Sequence, residues 1–155
     1  MKRLVFAFMA LLSLSSCSVD DDAANLTYDF AEITDHEFPE FFEPGKSYDL
    51  KLTYKRPSTC HNFIGIDGGR EDINSNEIFM YALTSVSSGA TECNSSNETE
   101  LISQTTIRGF NISANIADDE VFIFQLWTGE DASGEPIFTT VEVPVGDPEV
   151  PTPSS

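Results

Sequence analysis

From residue 25 onward apolar and polar residues alternate with a period of two, and no segment keeps apolar residues at helical spacing for three turns. Tyr48, Leu50, Leu52 and Tyr54 fall on one face of an extended segment, with Asp49, Lys51, Thr53 and Lys55 on the other. That is a strand with one buried and one wet side. Pro44-Gly45 opens it, Pro fixing φ and Gly accepting positive φ in a type II turn. Comparable stretches at residues 26–34, 60–67, 77–86, 105–114, 121–128 and 137–145 join residues 48–56 to make seven strands. Gly, Pro, Asn and Asp clusters separate them. The pattern predicts one all-β domain over residues 26–145, a two-sheet β-sandwich in preference to a closed eight-stranded barrel.

Phe110-x-Ile112 followed by Ile116-x-Asp118-x-Glu120-x-Phe122 resembles the corner between the fifth and sixth strands of immunoglobulin-like domains. The resemblance implies an immunoglobulin-like sandwich. Phe122 stands where that family commonly has Tyr, so the corner's hydroxyl-to-backbone hydrogen bond is absent. In such a sandwich successive connections alternate between the two ends. The second and fourth connections then share one end, and the first, third and fifth share the other.

Ahead of the domain the pattern changes. Lys2 and Arg3 precede an apolar run at residues 4–14, too short to cross about 30 Å of hydrocarbon, so residues 1–16 read as a signal peptide. Leu14-Ser15-Ser16-Cys17 resembles the bacterial lipoprotein lipobox at all four positions. The resemblance implies that Cys17 is the mature first residue, with diacylglycerol on its thiol, an acyl chain such as palmitate on its amine, and the lipid bilayer as partner. Each buried methylene contributes about 0.8 kcal/mol, so two or three chains hold durably. Ser18-Val19-Asp20-Asp21-Asp22, within a tether at residues 17–25, resembles the acidic export tether of Bacteroidetes surface lipoproteins, apart from Val19. It implies an outer-membrane lipoprotein exposed at the cell surface, with a periplasm-facing one as the alternative. Residues 146–155 carry Pro148, Pro151 and Pro153 and read as an extended tail. Together with Leu126-Trp127-Thr128-Gly129 before Pro144, the whole resembles small lipoproteins of the Bacteroidetes group, which implies a location and no activity.

An exported chain folds under oxidising conditions, and Cys60 and Cys93 are the thiols left once Cys17 is lipidated, so they are expected to form a disulfide. Cys60 opens the third strand and Cys93 lies in the fourth connection, which the sandwich puts at the same end. Closing a loop of roughly 30 residues stabilises by about 3 to 4 kcal/mol in the loop-entropy account.

Charge narrows the partners. Removing Lys2 and Arg3 from eight basic residues leaves six against 26 acidic ones, taking the formal charge from −18 to −20. Such a surface repels phosphate backbones, which excludes nucleic acid held on a basic patch. Acidic residues gather in the first, third and fifth connections, and from these Asp67, Asp72, Asp118 and Asp119 are the candidate ligands for Ca²⁺, which takes six to eight oxygens. No loop has the Asp-x-[Asp/Asn]-x-[Asp/Asn]-Gly pattern, so solvated surface, with no cofactor, is the expectation.

Catalytic patterns are missing: the chain has no Gly-x-Ser-x-Gly, no His-Glu-x-x-His and no phosphate-binding Gly-rich loop. A non-enzyme is expected, with a hydrolase assembled from loops as the third reading. The sixth strand is apolar on both sides, with Phe122, Phe124 and Leu126 on one and Val121, Ile123, Gln125 and Trp127 on the other. One side is the core. The other is either a platform on which Trp127 and Gln125 bind a sugar or peptide, or a surface covered by residues 38–42 or the tail. A central strand is often buried on both sides, so coverage or ordinary edge packing is expected. The chain therefore reads as an envelope module that binds a protein or glycan, or as a passive structural component without a ligand.

Overall fold

The alternating segments form seven strands, β1 (Leu26–Glu37), β2 (Ser47–Lys55), β3 (Asn62–Gly69), β4 (Glu77–Ser87), β5 (Ile102–Asn111), β6 (Val121–Glu130) and β7 (Pro136–Pro144). A single helical turn, α1 (Glu98–Leu101), precedes β5 and drops Leu101 into the interior. They are seen in a computed structural model that describes residues 25–72, 75–117 and 119–146. Cys17, the 1–16 leader, Asp118 and residues 147–155 lie outside the described residues.

The fold is all-β and sandwich-like. Strand directions alternate along the chain, because β4 is antiparallel to β1 and β3, and β6 runs parallel to β4. β1 joins the two layers. Residues 26–31 pair with β4 while residues 32–37 pair with β2, whose other edge carries β5. β4 bears β3 on one edge; its other edge is shared by β1 and β6, and β7 follows β6.

The immunoglobulin-like pattern groups the first, second, fourth and fifth strands against the third, sixth and seventh. Here β4 stands between β3 and β6 and also pairs with β1. Its composition suits that central place. Ile78, Met80, Ala82 and Thr84 are buried on the inside, and Phe79, Tyr81 and Leu83 are half-buried on the outside.

The inner faces meet in one core. Leu50, Leu52 and Tyr54 from β2 oppose Phe122, Phe124 and Leu126 from β6, as the alternation requires. Ile112 and Phe122 of the corner are buried, with Phe110 and Ile116 packed partly against them. Phe42 closes the end where the first connection turns. It is fully buried, its ring lies 5.5 Å from Phe122 and 4.9 Å from Tyr48, and its backbone bridges to Val145. Three residues on, Gly45 N–H donates to Ile112 O at 3.1 Å with φ at +75°, in keeping with the turn expected at Pro44-Gly45. One short segment thus ties β7 to β2 and β5.

Several boundaries differ from the sequence reading: β3 (Asn62–Gly69) starts after Cys60 and ends two residues beyond 67, β5 stops at Asn111 short of 114, and β6 continues to Glu130. β1 runs on to Glu37, since the Glu37–Lys51 pair at 2.7 Å lies within the β1–β2 ladder and places Asp35 and Glu37 in a strand. β5 begins at Ile102 because β2 offers partners as far as Lys55.

Cys60 and Cys93 are joined, with a Cα separation of 5.2 Å. The second and fourth connections do share an end. Around the bridge, Thr59 N–H donates to Asn94 O at 2.9 Å and Asn94 N–H to Thr59 Oγ1 at 3.0 Å. Arg56 adds a clasp, donating to His61 O at 2.9 Å and to Glu100 O at 2.8 Å.

Candidate functional site

Antiparallel or parallel partners share a face, so the register assigns the solvent side of the β3-β4-β6-β7 layer. Tyr81 pairs with Asp67, Phe79 with Gly69 and Gln125, and Trp127 with Phe138. Five rings form a connected row there. Trp127 lies 5.4 Å from Phe30, Phe30 5.0 Å from Tyr81, Tyr81 5.7 Å from Phe138, and Phe138 5.3 Å from Phe79. Tyr28 stands on the same side of β1, 62% exposed.

Residues 38–42 do not supply the expected cover, and the tail at 147–155 lies outside the described residues. Phe38 and Phe42 pack on the opposite side of β6, 4.9 Å and 6.2 Å from Phe124, so residues 38–42 plug the core and leave the outer face alone. Their aromatic density made them look like a lid; the turn after β1 instead aims them inward.

The two residues singled out in the sequence are held more tightly than a free binding group. Trp127 is 9% exposed, with Phe30 packed on it. Gln125 is engaged at both ends of its amide, donating to Glu77 Oε1 at 2.7 Å and accepting from Thr140 Oγ1 at 2.8 Å. It fixes three strands in register. Phe79, Tyr81 and Phe138, which sequence reasoning missed, carry the half-buried part of the row. Phe79-Met80-Tyr81-Ala82-Leu83 is apolar on both faces of its strand, and that was the readable signal.

A recess lies beside each end. Near Trp127 a hollow of about 390 Å³ is walled by Phe30, Glu32, Lys55, Arg56 and Leu101. Lys55 donates to Glu98 at 2.7 Å, which holds the Lys55 ammonium above its ordinary range and the Glu98 carboxyl below its own. These charges satisfy one another. Over Phe79 and Tyr81 a shallower hollow of about 400 Å³ is lined also by Gly69, Arg70 and Glu71.

Ser58, His61 and Asp29 come together as a triad would, Ser58 Oγ lying 2.8 Å from His61 Nδ1 and His61 Nε2 lying 3.6 Å from Asp29 Oδ2. Their setting is that of a turn. Ser58 is 8% exposed and its Oγ also accepts from Cys60 N–H at 3.3 Å, while His61 N–H closes the same turn onto Ser58 O at 3.2 Å. A nucleophile needs an open approach, and this hydroxyl is spent on holding the disulfide turn.

Of the proposed calcium ligands, Asp67 is on β3 beside Tyr81, Asp72 follows β3 in the loop, and Asp119 is exposed ahead of β6. Among the described residues no three His, Cys, Asp or Glu side chains gather as a metal site. No described helix is long and apolar enough to cross a membrane. Comparison with protein-family models, with curated proteins and with solved structures finds no match to this chain.

Proposed function

We propose that the chain is a cell-envelope lipoprotein, held to the outer membrane through Cys17, whose β-domain is a non-enzymatic binding module for a glycan or protein. One observation carries the reading: five rings form a connected row on the solvent side of the sheet, and residues 38–42 do not cover it. Trp127 is buried and the other four rings are half-buried, so each keeps part of its apolar face toward solvent beside the exposed Tyr28, and a contiguous apolar row of that kind rimmed by polar groups suits an interaction surface. The carboxylates around it turn away anionic partners. The tether of acidic residues after Cys17 is long enough to stand such a face off the bilayer.

The test has two arms. Cys17→Ser should abolish incorporation of labelled palmitate, and incorporation at the wild-type level would refute the anchor. Immobilised mature chain should retain protein or polysaccharide from an envelope extract, and Tyr81→Ala with Phe138→Ala should lose it while melting as a folded domain. Retention equal to wild type would sink the face as the binding surface. A passive structural component would retain nothing in either form.

A further inference from the structure

Gly65, Asp67 and Gly69 of β3 face the same way, toward Leu83, Tyr81 and Phe79 on the solvent side. A Cβ at Gly65 or at Gly69 would meet nothing within 4 Å. Gly68, pointing the other way, has a packing reason to be glycine, since its Cβ would come within 2.6 Å of Phe79 O. The other two have none. Their bare backbones leave a notch on each side of the Asp67 carboxylate, and the notch at Gly69 opens into the hollow over Phe79 and Tyr81.

Resting on the binding reading above, we infer that this notch is a subsite for one ring of an uncharged glycan. A sugar ring has an axial C–H face and an equatorial rim of hydroxyls. The C–H face suits the negative face of the Tyr81 and Phe79 rings. An ionised carboxylate only accepts hydrogen bonds, so Asp67 takes donors that the hydroxyls supply. Gln125 and Thr140 are already bonded to each other, so the polar groups at the hollow are Arg70 and Glu71, which line it, and Asp67, which pairs with Tyr81 beside it and has a glycine two residues away on either side. A charge of −20 on the mature chain repels anionic glycans, whereas a neutral one enters without penalty. A basic peptide is the competing occupant. Charge would draw it to any part of this surface, so its binding would fall steeply with salt and would not depend on the notch.

The test uses the mature chain in native gels cast with soluble starch, mannan or hydroxyethyl cellulose. At least one of these polysaccharides should retard it, with little dependence on NaCl. Tyr81→Ala and Asp67→Asn should each weaken retardation by about tenfold. Gly69→Leu puts a side chain into the notch from a Cβ that meets nothing within 4 Å, so a variant whose urea melt stays cooperative should lose retardation to the same degree, with Gly69→Ala as the smaller control that melts like wild type. No retardation by any of the three, or equal retardation of wild type and Gly69→Leu, overturns the subsite. Polylysine binding that Tyr81→Ala abolishes, with no polysaccharide retardation, overturns the glycan subsite and leaves the binding face standing. Absence of all binding overturns both.

Discussion

Asp131 organises the β6–β7 hairpin by itself. Its carboxylate accepts from Ser133 N–H at 2.7 Å and from Glu135 N–H at 3.0 Å, while Gly134, at φ +83°, donates to Asp131 O at 3.0 Å. Short polar side chains that bond their own turn are the reason Asp is favoured at such corners. The N–H of Glu135, then that of Ser133, hold the Asp131 carboxyl below the ordinary Asp value of 3.8. A depressed folded pKa gives a contribution that is complete above the unfolded value and is lost as pH falls through the folded one. The hairpin should therefore loosen only in acid below the ordinary Asp range. A carbon-13 titration of the Asp131 carboxyl should show its midpoint below the ordinary Asp value, and Asp131→Asn should remove this part of the acid dependence. A midpoint at the ordinary Asp value would contradict the account.

At the scale of the element, neighbouring glycines in β3 should answer the same substitution in opposite ways. Gly68→Ala pushes a Cβ to 2.6 Å from a backbone oxygen of the paired strand, and a ladder cannot yield as a side chain can. About 1 to 3 kcal/mol of destabilisation is expected, the usual range for overpacking. Gly69→Ala meets open space and should lie within about 0.5 kcal/mol of wild type. Urea melts of the two variants decide it, and equal losses would remove the distinction on which the notch depends.

Strands of this kind were legible because alternation reports burial on one side, which is why the inward set of β2 could be read residue by residue. The same rule fails where a strand is apolar on both faces. β4 and β6 differ from β2 in this respect, and periodicity alone cannot say which side is core, which is wet, or which neighbour each edge chooses. The parallel β4–β6 pairing and the half-buried row of Phe79, Tyr81 and Phe138 both sat in that blind spot. The disulfide was readable because it needed only strand direction, not strand order. Ser58, His61 and Asp29 could not be read at all, since Asp29 reaches the turn only through β1–β4 pairing.

For the whole molecule the governing quantity is charge. Two lysines are tied up at 2.7 Å in pairs with Glu37 and Glu98, both pairs exposed enough for water and salt to weaken them. Most of the 26 acidic side chains have no basic counterpart to pair with, because the chain carries only eight basic ones. Self-repulsion on this scale opposes the compact state, and added salt relieves it, since the Debye length falls to about 10 Å at 0.1 M whatever the cation. NaCl should therefore raise the melting temperature, and a gain of about 1 kcal/mol reads as roughly 3 to 6 °C for a domain of this size. CaCl₂ at matched ionic strength should do the same and no more, because Asp67 lies on β3 against Tyr81 while Asp119 stands in another connection, and no three described ligands converge. A bound ion would behave otherwise, adding RT ln(1 + [L]/Kd), about 2.7 kcal/mol at a hundredfold excess over Kd. A rise specific to Ca²⁺ at sub-millimolar concentration, removed by Asp67→Asn with Asp72→Asn, would replace the screening account with a site.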